Sequence, residues 1–338
     1  MKQKLPGLMV CLVIALIAHQ IGRFYPLFGG PVSAIVIGAL ISHFIALPET
    51  YQPGVRFCSR TILQAAIVLL GFGLNLTVIL KTGWSSLPII VITISLALLM
   101  ASFLQKLWRI DPQIAGLIGV GSAICGGSAI AATAPILRAD DDQVAQSISV
   151  IFLYNLLAAV IFPVLGGWLG FDTTSGQAFG LFAGTAVNDT SSVTAAASAW
   201  DNLHNLGTAT LDYAVTVKLT RTLFIIPIAV GISLLQAKQK DGESSKAWYR
   251  HIPVFLLLFL GASVISSVVD LLGYSFPGVA FLKDASKFLI VIAMAGIGLN
   301  TKLKKLVTTG VKPIFLGLVL WLTITTSSLV LQHLLAFW

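Results

Sequence analysis

Two basic residues three apart, Lys218 and Arg221 in Thr216-Val-Lys-Leu-Thr-Arg221, lie deep in a hydrophobic run over roughly 206–236. A helix started near Leu206 and rising about 1.5 Å per residue puts Lys218 close to the middle of a bilayer core about 30 Å thick. At this spacing the two side chains share one helix face. A cation at such depth is costly and normally faces a cavity, a substrate or a charged partner. The pair therefore suggests an anion site. The plainer alternative is an ion pair with Asp189 or Asp212, or Arg221 reaching the aqueous edge.

Two small, polar segments in mid-chain match one another without a gap. The first is Gly121-Ser-Ala-Ile-Cys-Gly-Gly-Ser-Ala-Ile-Ala-Ala-Thr-Ala-Pro135; the second is Gly184-Thr-Ala-Val-Asn-Asp-Thr-Ser-Ser-Val-Thr-Ala-Ala-Ala-Ser198. Gly121 falls on Gly184, Ser122 on Thr185, Ile124 on Val187 and Ser128 on Ser191. Gly, Ser and Thr inside apolar runs read as a broken helix or re-entrant turn lining a polar cavity, since irregular backbone is not tolerated against lipid. Two such interruptions in corresponding positions point to a transporter's binding site. The first offers close-approaching amides at Gly126, Gly127 and Ser128, with Ser122 and Cys125 beside them, which suits an anion. The second offers Thr185, Asn188, Thr190 and Ser191. Asp189 is its acidic residue, placed to take a coupling proton or Na⁺ with Asn188, or to neutralise Lys218. Small residues such as Ala129, Ala131 and Ala132 are read as packing surface.

Positioning these groups takes a membrane. Of the 338 residues 57% are hydrophobic and 10% charged, against about 25% charged in soluble domains. The net charge of +8 lies in short loops between apolar runs, so it reports orientation and not nucleic-acid binding. Cys11, Cys58 and Cys125 show no metal-like spacing, and neither a disulfide nor a metal site is expected. The N-terminal run up to Ile21 reads as a retained helix.

Candidate spans are roughly 6–22, 29–46, 57–79, 87–105, 145–168, 206–236, 252–272, 284–300 and 312–336, with interrupted segments at 112–137 and 174–200. Asp111-Pro112 and Asp172-Thr-Thr-Ser are candidate helix starts, and Asp140-Asp-Asp142 a solvated loop and cap. A second echo, Gly71-Phe-Gly-Leu-Asn75 and Gly296-Ile-Gly-Leu-Asn300, is followed each time by a Thr-Gly loop (Thr82-Gly83; Thr309-Gly310). Asn75 and Asn300 are read as helix cross-links or caps, and Asn155 as bonding a neighbouring helix. The order of elements gives an extra helix over 1–24 and a repeat over 25–172 and 173–338, circularly shifted. Parity makes the repeat consistent only if both interrupted segments are hairpins: nine spans and two re-entrant hairpins entering from opposite sides, an all-α inverted-repeat transporter fold. With the N-terminus cytoplasmic, fifteen of the twenty-one Lys and Arg lie inside, among them Arg56, Arg60, Lys106, Arg109, Arg138 and Lys312. The C-terminus then falls outside.

The segments Gly121–Ala131, Ala183–Val193 and Val217–Arg221 resemble those of the YeiH family of bacterial inner-membrane proteins, the putative sulfate exporters, over essentially the whole chain. The resemblance implies a secondary carrier. The leading expectation is a transporter of a small oxyanion, sulfate or a sulfonate, working by alternating access at a midplane site. Coupling would be to a proton or Na⁺, and no other cofactor is expected. Partners would be the anion, the bilayer and optionally a second copy of the chain. The alternatives are a carrier of another organic anion, or a Na⁺/H⁺ exchanger in which Lys218 merely pairs Asp189. From other classes come a channel, or an intramembrane enzyme, for which no HExxH, GxGD or Walker A sequence provides support.

Overall fold

A computed structural model describes residues 4–24, 29–45, 48–73, 76–225, 227–228, 231–232, 254–272, 278–300 and 310–338. Every element among them is helical. The readings of Asn75, Thr309, the linker 236–250, and the Lys residues at 2, 302, 304 and 305 lie outside the described residues, as does the Arg23 side chain.

The helices are α1 (Leu5–Phe24), α2 (Gly29–Phe44), α3 (Gln52–Phe57), a π segment (Cys58–Ile62), α4 (Leu63–Gly71) and α5 (Leu76–Trp108). Then follow α6 (Pro112–Ala123), α7 (Gly127–Leu137), α8 (Asp141–Leu169), α9 (Gln177–Ala186), α10 (Thr190–His204) and α11 (Ala209–Thr222). After the linker come α12 (Val254–Leu271), α13 (Val279–Asn300) and α14 (Val311–Leu334). Among the described residues five helices are long and apolar enough to cross a membrane: Leu5–Gly22, Glu49–Gly71, Leu76–Trp108, Asp142–Leu169 and Val311–Leu334. The molecule is a polytopic helical membrane protein.

Helix α8 serves as a ruler, about 43 Å long at 1.5 Å per residue. At its start, here the first end, Gln143 donates to Asp111 at 3.1 Å, and Lys312 donates to the Trp108 carbonyl at 3.1 Å. The starts of α6, α8 and α14 and the end of α5 therefore lie together. At the second end the Trp338 ring packs at a tilt of 35° on Phe171, 4.6 Å between centroids, and its indole N–H donates to the Gly170 carbonyl.

Both interrupted segments fold back on themselves. Leu137 of α7 packs on Gly116 of α6, and Ile130 on Gly121, an antiparallel register that returns the chain to the first end. In the other segment Phe179 of α9 stacks on Trp200 of α10 at 4.3 Å, and Gly176 before α9 lies against Thr210 after α10. That hairpin starts and finishes at the second end. Under the sequence match, α6 ends at Ala123 where α9 ends at Ala186, and α7 begins at Gly127 where α10 begins at Thr190. The breaks fall at equivalent positions.

Local signals behave as their chemistry dictates in some places and not in others. Asp111 caps α6, its carboxylate accepting from the amides of Gln113 and Ile114, and Asp140 caps α8 in a reciprocal box with Gln143. Asp172 instead closes a turn four residues early. It accepts from the hydroxyls and amides of Ser175 and Thr174, which hold its carboxyl well below the usual range, while α9 starts from Gly176 at φ 67°. The expected Thr82-Gly83 loop is absent. Helix α5 runs through it and through Pro88 for 33 residues, and Gly83 is used for close packing on Thr220. The turn falls earlier, after Gly71, so the expected spans 57–79 and 87–105 become 52–71 and 76–108. Arg56 and Arg60, expected in an inner loop, lie in α3 and the π segment.

Contacts sort the helices into two bodies. One, the panel, holds α1–α4, α12 and α13; the other, the core, holds α5–α11 and α14. Each takes helices from both halves of the chain. Within the panel, α2 and α13 approach through glycines: a Cβ on Gly38 would lie 2.7 Å from the Ala295 carbonyl oxygen and 2.9 Å from the Leu299 nitrogen. The bodies meet mainly where α10 touches α2 and α13.

Candidate functional site

The site grows from the two hairpin tips. At each, a half-helix ends with free carbonyls and the next begins with free amides, so each tip carries a negative and a positive helix terminus. The negative ends are α6 and α9. Lys218, fully buried on α11, donates from Nζ to the Ile124 carbonyl at 2.7 Å and to the Val187 carbonyl at 2.8 Å. Arg221, equally buried, donates from Nε to the Ala123 carbonyl at 2.7 Å, from Nη2 to that of Ser122 at 3.0 Å, and from Nη1 to that of Thr185. Ile124 and Val187 are equivalent under the sequence match, and so are Ser122 and Thr185. Each cation thus bridges the same carbonyl of both hairpins. The alternative reading, an ion pair with Asp189 or Asp212, is not found: neither cation lies within ion-pair distance of either carboxylate, and Asp212 pairs with Lys283 at 3.0 Å.

The positive ends are α7 and α10, and they open on a cavity of about 450 Å³ between the two bodies. From the core, Gly127 and Ser128 line it from the start of α7, and Asp189, Thr190 and Ser191 from the start of α10. From the panel come Arg56, Ser59, Arg60 and Gln64, at helical spacing along α3, the π segment and α4, with Asn300 at the end of α13. Leu63, Ile67, Phe152, Phe255 and Ile297 give the apolar remainder. The Asp189 carboxylate accepts from the Ser191 hydroxyl. Asn300 donates to the Ser59 hydroxyl at 3.0 Å, the cross-link expected of it.

The structure thus brings together five of the residues singled out in the sequence: Gly127, Ser128, Asp189, Thr190 and Ser191. Ser122, Cys125, Gly126, Thr185 and Asn188 are buried within the paired tips, and Gly126 supplies the φ of 70° that starts α7. Lys218 and Arg221 stand behind the tips and are not among the lining residues. Asn155, expected to bond a neighbouring helix, is 2% exposed with both amide atoms unpartnered, beside Gly126. Arg56 and Arg60 are what sequence reading missed. Their one signal is Arg-x-x-x-Arg opening an apolar run, which reads equally well as an inner boundary.

Two guanidinium groups against one carboxylate, with two helix N-termini added, give the cavity an excess of positive charge among its described lining residues. The class defined by the fold and this site is a multi-pass helical membrane protein with paired broken helices around a polar cavity. A family described as Conserved hypothetical protein 698 matches residues 6–317. The chain is 52% identical over 337 residues to a UPF0324 membrane protein of Streptococcus agalactiae, covering 100% of this chain and 99% of that one. It is 49% identical over 346 residues to one of Fusobacterium nucleatum, with 99% of each covered. The chain belongs to this family, the UPF0324 or YeiH family of membrane proteins.

Proposed function

We propose that the protein is a secondary active transporter of a small anion, a sulfate- or sulfonate-like oxyanion, working by alternating access. The observation that carries this reading is the cavity between two helical bodies, faced by two half-helix N-termini and by Arg56 and Arg60. A bound oxyanion would take charge-assisted hydrogen bonds from the arginines on one body and amides from the hairpin tips on the other. Movement of the panel against the core would carry the mouth of the site from one side to the other.

In this reading nine helices cross a bacterial inner membrane, counting α3–α4 as one, and the hairpins re-enter from opposite sides as halves of an inverted repeat. Lys4, Arg56, Lys106, Arg109, Arg138 and Lys312 gather at the first end, which is therefore cytoplasmic. The panel residues that line the cavity, Arg56 and Ser59 by the start of α3, Phe255 by the start of α12 and Asn300 at the end of α13, lie toward that side, so in this reading the site faces it. Asp189, inside the cavity with a hydroxyl partner, is the group that takes a coupling proton. A Na⁺/H⁺ exchanger is disfavoured because the carbonyl ends of the half-helices, where a coupling cation would bind, already hold Lys218 and Arg221.

Counterflow of radiolabelled sulfate into liposomes holding the full chain tests the reading. Wild type should accumulate label, and Arg60→Gln should lose about tenfold or more in rate, since a hydrogen bond to a charged group contributes about 1.5–3 kcal/mol. Its melting temperature should be unchanged. A folded wild type that accumulates neither sulfate, sulfonates nor carboxylates would remove the anion reading.

A further inference from the structure

At the second end of the molecule a contact outside the cavity joins the two bodies. Lys283, near the start of α13 in the panel, places Nζ 3.0 Å from Asp212 Oδ2 and 3.4 Å from Thr208 Oγ1, both at the start of α11 in the core. Thr208 donates to the same carboxylate oxygen at 3.0 Å. The other described ion pair, Lys287–Asp284, lies within α13, so among the described residues this ion pair is the one that joins the bodies.

Its surroundings hold one partner rigidly and the other loosely. Asp201 of α10 accepts from the amides of Thr210 and Leu211, 2.9 Å each, which fixes the first turn of α11 and with it Asp212. Lys283 reaches across on a flexible stem. That stem lies on Gly73, in the turn joining α4 of the panel to α5 of the core, where a Cβ would collide with Lys283 Cε. The lysine and aspartate side chains are 25% and 12% exposed, so water reaches the pair. Asp212 Oδ1 has no partner. A pair that is part-hydrated and short of one hydrogen bond is far easier to separate than a fully buried one.

We propose that Lys283, Asp212 and Thr208 form a latch. It keeps the second end closed while the cavity is open at the first, and it breaks when the panel moves to expose the cavity to the other side. Three observations place it there: it joins the two bodies, it lies at the end away from the panel residues that line the cavity, and the Lys283 stem packs on Gly73, which follows α4. The latch rests on the alternating-access reading, but its test follows conformation and not flux.

The test is the labelling rate of Gln64→Cys, on the cavity wall, by a membrane-impermeant maleimide applied to inside-out vesicles of the full-length protein. The native thiols are buried, and protein without the added cysteine gives the background. Asp212→Asn, Lys283→Gln and Gly73→Ala, the last removing no charge, should each lower the rate about threefold or more, within the range such pairs span. The exchanged pair, Asp212→Lys with Lys283→Asp, should restore it. Unchanged rates in all three single variants would overturn the latch, as would losses that the exchange leaves uncorrected. A Gln64→Cys protein that is unlabelled without any latch variant would overturn both the latch and the open cavity, whereas absence of sulfate counterflow alone would leave the latch standing.

Discussion

Lys218 and Arg221 carry most of the burden of keeping the hairpin tips together. Buried carbonyls without donors cost about 1–3 kcal/mol each, and between them the two side chains satisfy five. Lys218→Met, close in length and apolar, would leave the Ile124 and Val187 carbonyls without that donor. The expected outcome is a marked fall in melting temperature, read by size-exclusion chromatography of heated samples. Arg60→Gln, on the cavity wall, should leave melting unchanged. Equal stability of wild type and Lys218→Met would mean that the cation is not the tie its geometry describes. The depth and shared face of Lys218 and Arg221 were legible in their spacing, but their partners were not. Their acceptors are backbone carbonyls, which every residue carries, so side-chain types cannot reveal them.

At the scale of elements, the hairpin breaks were legible because Gly, Ser and Thr interrupt apolar runs at matching places. The register of the match put the two breaks at equivalent positions, although it did not say that α6 ends at Ala123 and α9 at Ala186. The π segment was not legible. Pro53-Gly54 before Arg56 reads as a loop, and an extra residue in a helical turn leaves no composition signal, yet π-bulges gather at functional sites. Thr82-Gly83 misled for the opposite reason: a glycine marks a turn or a close approach equally well, and here it is the approach of α5 to α11. The tip itself gives a prediction. Gly126 sits at φ 70°, ψ −128°, a region nearly closed to other residues, and a Cβ there would also meet Asp189 and Ile151 at 3.3 Å. Gly126→Ala should destabilise by about 1–3 kcal/mol. Gly127, next along, is helical with nothing within 4 Å of its Cβ position. Gly127→Ala should therefore keep or slightly raise the melting temperature while weakening anion binding, read as a higher half-saturating concentration in counterflow. The same loss of stability in both would show that the strain at Gly126 is not what fixes the tip.

The whole molecule is two bodies about a cavity, and its topology follows from the hairpins. Had the first interrupted segment crossed from end to end, Arg138 would lie at the end opposite Trp108 and Asp111, and the start of α8 with it. Instead Arg138 follows α7 back to the first end, three residues before α8 begins beside Asp111. Parity in the sequence argues for the same fold-back, because under the expected inverted repeat only hairpins keep every matched pair consistent. The grouping into panel and core could not be read there, since each body draws on both halves of the chain and depends on contacts far apart in sequence. Fusions of alkaline phosphatase, active only outside the inner membrane, test the arrangement. A fusion after Arg138 should be inactive and one after Trp338 active, because an odd number of crossings separates the N-terminus from the C-terminus and the first hairpin adds none. Activity at Arg138 would make the first segment a full crossing. The cavity would then lose its second half-helix N-terminus on the side where the arginines wait, and with it the charge balance on which an anion site depends.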